Sequence, residues 1–279
     1  MFLLHTLAEM YKRKNMKLVC CFIDFQKAFD SVWRAGLWAK LWNYNVHGNF
    51  FTVIRNMYND ITSCIAVNGE FSDFFQSCRG VRQGEKLPAI LFSIFLNDLE
   101  HYLLTTNNVS LDIRDEELNF YLKLVVILYA DHTVLFAYNE DDFKSILNTF
   151  YNYWKQWKLD INLSKTKVMI FEDKMRRYRN ISVHGHNTEV VDSFTYLGVV
   201  FSKNRSFLQT KKHAVEQSRK ALFCLYRKNR NLDLPIDCQL KLFDNTVLPV
   251  FLYGCENWAY GGLKQLEKSI LISSNVYNM

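Results

Sequence analysis

Two apolar runs, Leu124–Leu128 and Thr133–Ala137, are separated only by Tyr129-Ala130-Asp131-His132. So short a break predicts a strand, a tight turn and a second strand. A carboxylate at the apex of an apolar hairpin is costly unless it is paired or binds a cation. A third apolar run, Leu18–Ile23, ends on Asp24 and suits a buried strand. If the hairpin lies beside that strand, Asp24 and Asp131 emerge at one edge, where two oxygen-ligand groups suit a pair of magnesium ions. Taken singly, each aspartate is more simply read as a strand end or a turn residue, where Asp is common.

The other segments set an order. His5–Lys14 reads as a helix, and Asp30 or Ser31 as the N-cap of a helix carrying Trp33, Leu37 and Leu41. A further helix covers about residues 50–58. Asn68-Gly69, between the alternating stretches Ser63–Val67 and Glu70–Gln76, predicts a hairpin. The loop Arg79–Gly84 leads into one helix from Pro88 to about Leu104. A helix over Asp141–Trp157, a strand over Val168–Phe171 and a hairpin around His184-Gly185-His186 follow, then Phe194–Gly198. Past Phe207 the pattern is helical and basic. Strands mixed with helices, then helices alone, predict an α+β domain followed by an all-α one.

Composition narrows the function classes. A chain of 279 residues, 49% hydrophobic and 22% charged, can bury a core and is not disordered. Its net charge of +6 is mild, but residues 203–230 hold nine Lys or Arg and a single acid, Glu216. Such a run is either a solvated face or a contact for an anionic partner. None of the seven cysteines has metal-knuckle spacing, so buried thiols in a reducing compartment are expected rather than disulfides or zinc. Met1–Met10 has no basic leader, and no apolar run approaches the roughly 18 residues that span a bilayer. An intracellular protein without a membrane is expected, nucleus and cytoplasm being indistinguishable. His184 and His186 read as hairpin polar residues, and Trp33, Trp38 and Trp42 as packing.

Six segments, in order, carry a resemblance. Phe22-Ile23-Asp24-Phe25-Gln26-Lys27-Ala28-Phe29-Asp30 closely resembles the first catalytic motif of non-LTR (LINE-type) retrotransposon reverse transcriptases. Arg82-Gln83-Gly84, with Leu91-Phe92 and Asn97-Asp98-Leu99, is similar to their template-tracking motif. Tyr129-Ala130-Asp131-His132 looks like the Tyr-Ala-Asp-Asp box with its last residue changed. Asn162–Lys167 resembles the following lysine motif, Tyr196-Leu197-Gly198 the primer grip, and Pro249 with Tyr253-Gly254 and Glu256 the thumb. The agreement extends over about Cys20–Trp258.

The resemblance implies a right-hand polymerase: a palm over 1–202, an antiparallel sheet with packed helices, keeping a remnant of fingers, then a basic helical thumb over 203–279. The expected activity is RNA-directed DNA polymerisation, the transfer of a deoxynucleotide to a primer 3′-hydroxyl. Asp24, Asp131 and the carbonyl of Phe25 would hold two Mg²⁺ ions, with Mn²⁺ as the alternative. Phe29 would exclude a ribose 2′-hydroxyl, and Gln83 and Gly84 would line the nucleotide and template-base pocket. Lys165 would neutralise or protonate the leaving pyrophosphate. Lys211, Lys212, Arg219, Lys220, Arg227 and Lys228 would contact the RNA template, DNA primer or RNA/DNA hybrid, and no specific protein partner is implied.

The chain departs from that pattern in places. His132 stands where the second aspartate of the box is expected; imidazole offers one nitrogen and no negative charge to a metal that prefers oxygen. Leu87-Pro88-Ala89 replaces Leu-Ser-Pro, which loses a capping hydroxyl. The resemblance implies that upstream fingers are largely missing, and Ile270–Met279 no longer resembles the family. These features predict a truncated, degenerate copy with impaired or absent catalysis. The alternatives are a catalytically dead remnant that still binds nucleic acid and a translation product that folds poorly.

Overall fold

The computed structural model describes residues 1–82, 84, 86–107, 109–115, 120–159, 161–162, 164–172, 180–183, 186–229, 232 and 234–259. They group into two compact units that do not follow one sequence boundary: 18–170 with 176–191, and 1–17 with 171–175 and 192–279.

The first unit is built on β1 (Leu18–Asp24), whose residues are buried until Asp24. Then come α2 (Ala28–Ser31), α3 (Arg34–Asn43) and α4 (Gly48–Asn56), and the short strands β2 (Thr62–Ser63), β3 (Ala66–Val67), β4 (Glu70–Phe71) and β5 (Phe75–Gln76). Next are α5 (Lys86–Leu96), α6 (Leu99–Asn107), β6 (Leu111–Asp115), β7 (Phe120–Leu124), β8 (Val126–Tyr129), β9 (His132–Ala137) and α7 (Glu140–Trp157). Strands β10 (Lys167–Phe171), β11 (Ile181–Val183) and β12 (His186–Val190) complete a six-stranded sheet in the order β11-β12-β10-β1-β9-β8. β1 and β9 run antiparallel from Val19↔Ala137 to Asp24↔His132. Helix α7 covers the sheet because Phe143, Ile146, Leu147, Phe150, Tyr153 and Trp154 recur at helical spacing and all are buried. Asn139 caps it by accepting from the Asp142 N–H at 2.9 Å.

The second unit contains α1 (Phe2–Arg13), the hairpin β13 (Ser193–Tyr196)–β14 (Val199–Ser202), α8 (Leu208–Asn229), α9 (Ile236–Thr246), α10 (Leu248–Phe251) and α11 (Cys255–Trp258). Leu4, Leu7, Ala8 and Tyr11 form the buried stripe of α1. Ala214, Phe251 and Trp258 form a small core among the helices.

Several expectations need correction. Asp30 and Ser31 do not cap a long helix. They lie in the short α2, and α3 starts after Val32 leaves helical geometry at ψ 122°, with Trp33 as an N-cap that makes no side-chain bond. The single helix expected over 88–104 is two, α5 and α6, parted at Asn97-Asp98. Buried Lys40 explains the break by donating to Asp98 Oδ1 and to the Phe95 carbonyl, both at 2.5 Å. The stretch Lys86–Asn107 is, among the described residues, long and apolar enough to cross a membrane by length and composition. That also departs from expectation, although Leu91, Phe92, Phe95, Leu96, Leu99 and Leu103 are buried in the protein's own core. All seven cysteines are free, but only Cys20 and Cys21 are buried, whereas Cys78, Cys224 and Cys238 are exposed.

Candidate active site at the β1–β9 edge

The antiparallel register sets the geometry of this edge. Asp24, the last residue of β1, pairs directly with His132, the first residue of β9. Asp131 lies in the two-residue turn between the paired Tyr129 and His132, with Ala130 in the left-handed region at φ 50°. A side chain rarely adopts that conformation, which the closed turn imposes here. Asp131 Oδ1 is 3.9 Å from His132 Nε2, and both side chains are partly exposed. The residue squarely across from Asp24 is therefore the histidine and not the second aspartate.

The lysine motif folds onto the same edge. The Asn162 N–H donates to the Asp24 carbonyl at 2.9 Å, and its side-chain amide approaches Asp24 Oδ2 at 3.4 Å. Lys165 Nζ lies 3.3 Å from that oxygen, on a side chain 69% exposed. Sequence reasoning aimed Lys165 at a leaving group; here its ammonium pairs with Asp24. Phe25 makes an isolated bridge with Ile161. The hydrogen bond of that bridge runs from Asn162 N to Asp24 O, so it does not consume the Phe25 carbonyl. The Phe25 ring is buried, 4.3 Å from Trp154.

Phe29 is partly buried against the core, its ring 4.8 Å from Phe92. Gln83 lies outside the described residues, as do His184 and Gly185. Gly84 is exposed at φ 93°, and a Cβ there would meet nothing within 4 Å. Its backbone conformation, not close protein packing, is what calls for glycine.

Two polar networks around this site escaped the sequence reading. Arg34 donates to four carbonyls: Gly80 at 2.9 Å, Tyr58 at 3.1 Å, Ser77 at 2.6 Å and Arg79 at 3.1 Å. Partial burial lowers its pKa. The Gly80 N–H donates to Val32 O and the Val81 N–H to Phe29 O, at 2.9 and 2.8 Å. A Cβ on Gly80 would sit 2.6 Å from the Asp30 carbonyl oxygen. The loop before Gln83-Gly84 is thus fastened to the segment carrying Phe29. The second network is Lys40 with Asp98 and Tyr153, whose hydroxyl is 2.7 Å from Lys40 Nζ. Burial pushes the Lys40 pKa down to about 8; burial and then the Asp98 hydrogen bond push the Tyr153 phenol up. An acid in an Asn-Asp-Leu segment within an apolar stretch was the available signal for that pair.

The remaining candidate residues belong to the other unit. Tyr196 is buried at the end of β13, and the turn places Leu197 at φ 49° and Gly198 at φ 79°. Tyr253 donates to the Leu197 carbonyl at 3.0 Å, and its ring lies where a Gly198 Cβ would meet it at 3.0 Å. Lys211, Lys212, Arg219, Lys220, Arg227 and Lys228 all lie on α8. At 3.6 residues per turn, Lys212, Arg219, Lys220 and Arg227 fall within an arc of roughly 100°. Lys211 and Lys228 fall to either side. Glu216 lies inside the stripe and pairs with Lys220 at 2.8 Å.

The donors decide whether the edge suits two magnesium ions. Mg²⁺ demands near-octahedral oxygen coordination. The edge offers two carboxylates, one already engaged by Lys165, a backbone carbonyl and an imidazole. Among the described residues no three His, Cys, Asp or Glu side chains converge as a metal-holding group. With an imidazole at His132, the edge is one carboxylate short of the oxygen set expected for a magnesium pair held by Asp24, Asp131 and the Phe25 carbonyl.

Comparison with known proteins gives a family for most of the chain. Residues 2–201 match the family described as reverse transcriptase (RNA-dependent DNA polymerase). The chain is 23% identical over 258 residues to the RNA-directed DNA polymerase from mobile element jockey of Drosophila melanogaster, covering 90% of this chain and 27% of that protein. It is 26% identical over 258 residues to the Pol polyprotein from type-1 retrotransposable element R2 of Popillia japonica, covering 88% of this chain and 34% of that one. The chain thus spans about a quarter to a third of these curated relatives. Telomerase from Candida tropicalis, solved with a fragment of telomeric RNA, superposes with a TM-score of 0.50 at 15% identity, over 97% of this chain and 44% of that one.

Proposed function

Because the chain belongs to the reverse transcriptase family, in its non-LTR retrotransposon branch, we propose that it is a polymerase core whose nucleotidyl transfer is impaired and whose grip on nucleic acid remains. The carrying observation is the pairing of Asp24 with His132 rather than with a second carboxylate. A template-directed transfer needs negative oxygen donors at this strand end, and an imidazole supplies none.

In this reading the sheet with α7 serves as the palm and the helices after residue 203 as the thumb. Phe29 walls off the 2′-hydroxyl of an incoming dNTP, Gln83 and Gly84 line its pocket, and Tyr196-Leu197-Gly198 grips the primer. The α8 cations hold the phosphates of an RNA template paired with a DNA primer. The match of residues 2–201 to the reverse transcriptase family supports the roles within that span, and the role of α8 rests on its own charge.

The test is primer extension on poly(rA)/oligo(dT) with magnesium and separately manganese, comparing the natural chain with His132→Asp and Asp131→Ala. Little or no extension by the natural chain with magnesium is expected, and improved activity on His132→Asp. Robust magnesium-dependent extension by the natural chain that Asp131→Ala abolishes would show that the histidine is tolerated, and would overturn the impairment.

A further inference from the structure

Helices α3 and α7 approach closely because Gly36 leaves room for neighbouring rings. A Cβ there would meet the Trp33 ring at 2.5 Å and the Trp157 ring at 3.2 Å. One turn further along α3, the Lys40 side chain is only 3% exposed. Its ammonium lies over three rings, 3.7 Å from the centre of Trp157 and 4.9 Å from those of Phe95 and Tyr153. It donates to the Phe95 carbonyl, to Asp98 Oδ1 and to the Tyr153 hydroxyl, and that hydroxyl donates in turn to Asp98 Oδ1 at 2.5 Å. The charge thus meets α5, the break before α6, and α7 at once. A methionine would fill the space among the rings with no charge to bury. Apolar contact has no direction, however. An ammonium with three acceptors on separate elements sets the distance and angle between the helices that carry them.

Each of these helices carries, within one turn of its anchor, a ring that props the candidate site. Phe92 lies one turn before Phe95 on α5, and its buried ring is 4.8 Å from that of Phe29. Trp154 is the neighbour of Tyr153 on α7, and its buried ring is 4.3 Å from that of Phe25. The Trp154 indole N–H has no hydrogen-bond partner among the described residues. Packing alone holds that ring, so its place follows the place of α7. The Leu159 N–H donates to the Trp154 carbonyl at 3.1 Å, three residues before Asn162, whose own N–H bonds the Asp24 carbonyl.

We propose that Lys40 is a positioning residue of the candidate site: by fixing α5 and α7 through one ammonium, it sets where the Phe25 and Phe29 rings stand beside Asp24. The consequence for the sugar rests on the reading of Phe29 as the wall against a 2′-hydroxyl. A Phe29 ring free to sink toward α5 leaves room for a ribose, so the clamp keeps the choice of sugar strict. The positioning itself is a matter of packing and involves neither His132 nor a metal.

The experiment is hydrogen exchange of the full chain, of Lys40→Met and Lys40→Arg, and of Tyr153→Phe, read at three amides. The Val81 N–H bonds the Phe29 carbonyl and the Asn162 N–H the Asp24 carbonyl, while the Phe136 N–H, bonded to the Val125 carbonyl, is the reference inside the sheet. Lys40→Met should cost Val81 and Asn162 about tenfold in protection relative to Phe136. Lys40→Arg, which keeps a charged donor, should restore part of it. Tyr153→Phe keeps the ring and should give a smaller loss of the same pattern, which decides the matter even where Lys40→Met does not fold. An equal change at all three amides, or none, would make Lys40 ordinary core and overturn the proposal. In the His132→Asp chain, extension of poly(rA)/oligo(dT) with dUTP against UTP reads the choice of sugar. Adding Lys40→Met should lower the preference for dUTP about tenfold, and an unchanged preference would also overturn the proposal. If His132→Asp extends no primer, the polymerase reading fails there, and the exchange result alone decides the role of Lys40.

Discussion

Lys40 shows how a single buried charge organises its surroundings. Its ammonium reaches Asp98, the Phe95 carbonyl and the Tyr153 hydroxyl, and lies 3.7 Å from the centre of the Trp157 ring. Burial holds its folded pKa near 8, below the ordinary 10.5. Below pH 8 the group is charged in both states, so the full cost of burying it is carried. Between about 8 and 10.5 the unfolded chain binds the extra proton, so stability should rise with pH, by up to about 1.4 kcal/mol per unit. Tyr153, with its raised phenol pKa, works in the opposite sense above about pH 10. Lys40→Met removes the first effect and keeps the second. Chemical denaturation of both proteins between pH 7 and 10 should therefore show the natural chain gaining stability relative to the variant. A constant difference would mean that Lys40 keeps its ordinary pKa.

Elements were legible in the sequence where one local rule governed them. The alternation around Asn68-Gly69, the apolar runs flanking Tyr129–His132 and the periodicity of α7 each rest on neighbours in the chain. Where a distant residue decided, reading failed. The break between α5 and α6 depends on Lys40, and the course of residues 77–81 depends on Arg34, 43 to 46 positions away in the hydrogen bonds it makes there. The candidate edge was legible as a pair of acids on apolar strands, but the register that sets His132 opposite Asp24 is a long-range fact. The loop clamp gives a test at this scale. Arg34→Ala strips four carbonyls of a charged donor, at about 1.5–3 kcal/mol for a hydrogen bond to such a group. Hydrogen exchange at Gly80 and Val81 should quicken at least tenfold in that variant, with Arg34→Lys in between. Unchanged protection would show that Gly80 N–H to Val32 O and Val81 N–H to Phe29 O hold the loop unaided.

For the molecule as a whole, the proposed reading puts catalysis and the α8 phosphate contacts in different compact units, and such contacts need charge but no metal. Binding by the α8 stripe should therefore survive loss of catalysis. Affinity for an RNA/DNA hybrid should fall with salt at a slope of about 0.9 per phosphate contact, and Lys212→Ala/Arg219→Ala/Lys220→Ala/Arg227→Ala should flatten the slope. Anisotropy across a salt series checks this; a slope indifferent to the four changes would make the stripe an ordinary solvated face. The position of His132 has a consequence of another kind. Its side chain is 45% exposed at the very start of β9, beyond the buried residues that hold the sheet together. If an aspartate stood here, as proposed, its replacement cost the scaffold little, because the side chain is nearly half exposed. The reverse holds as well: histidine and aspartate codons differ by a single base, so the road back requires no repacking.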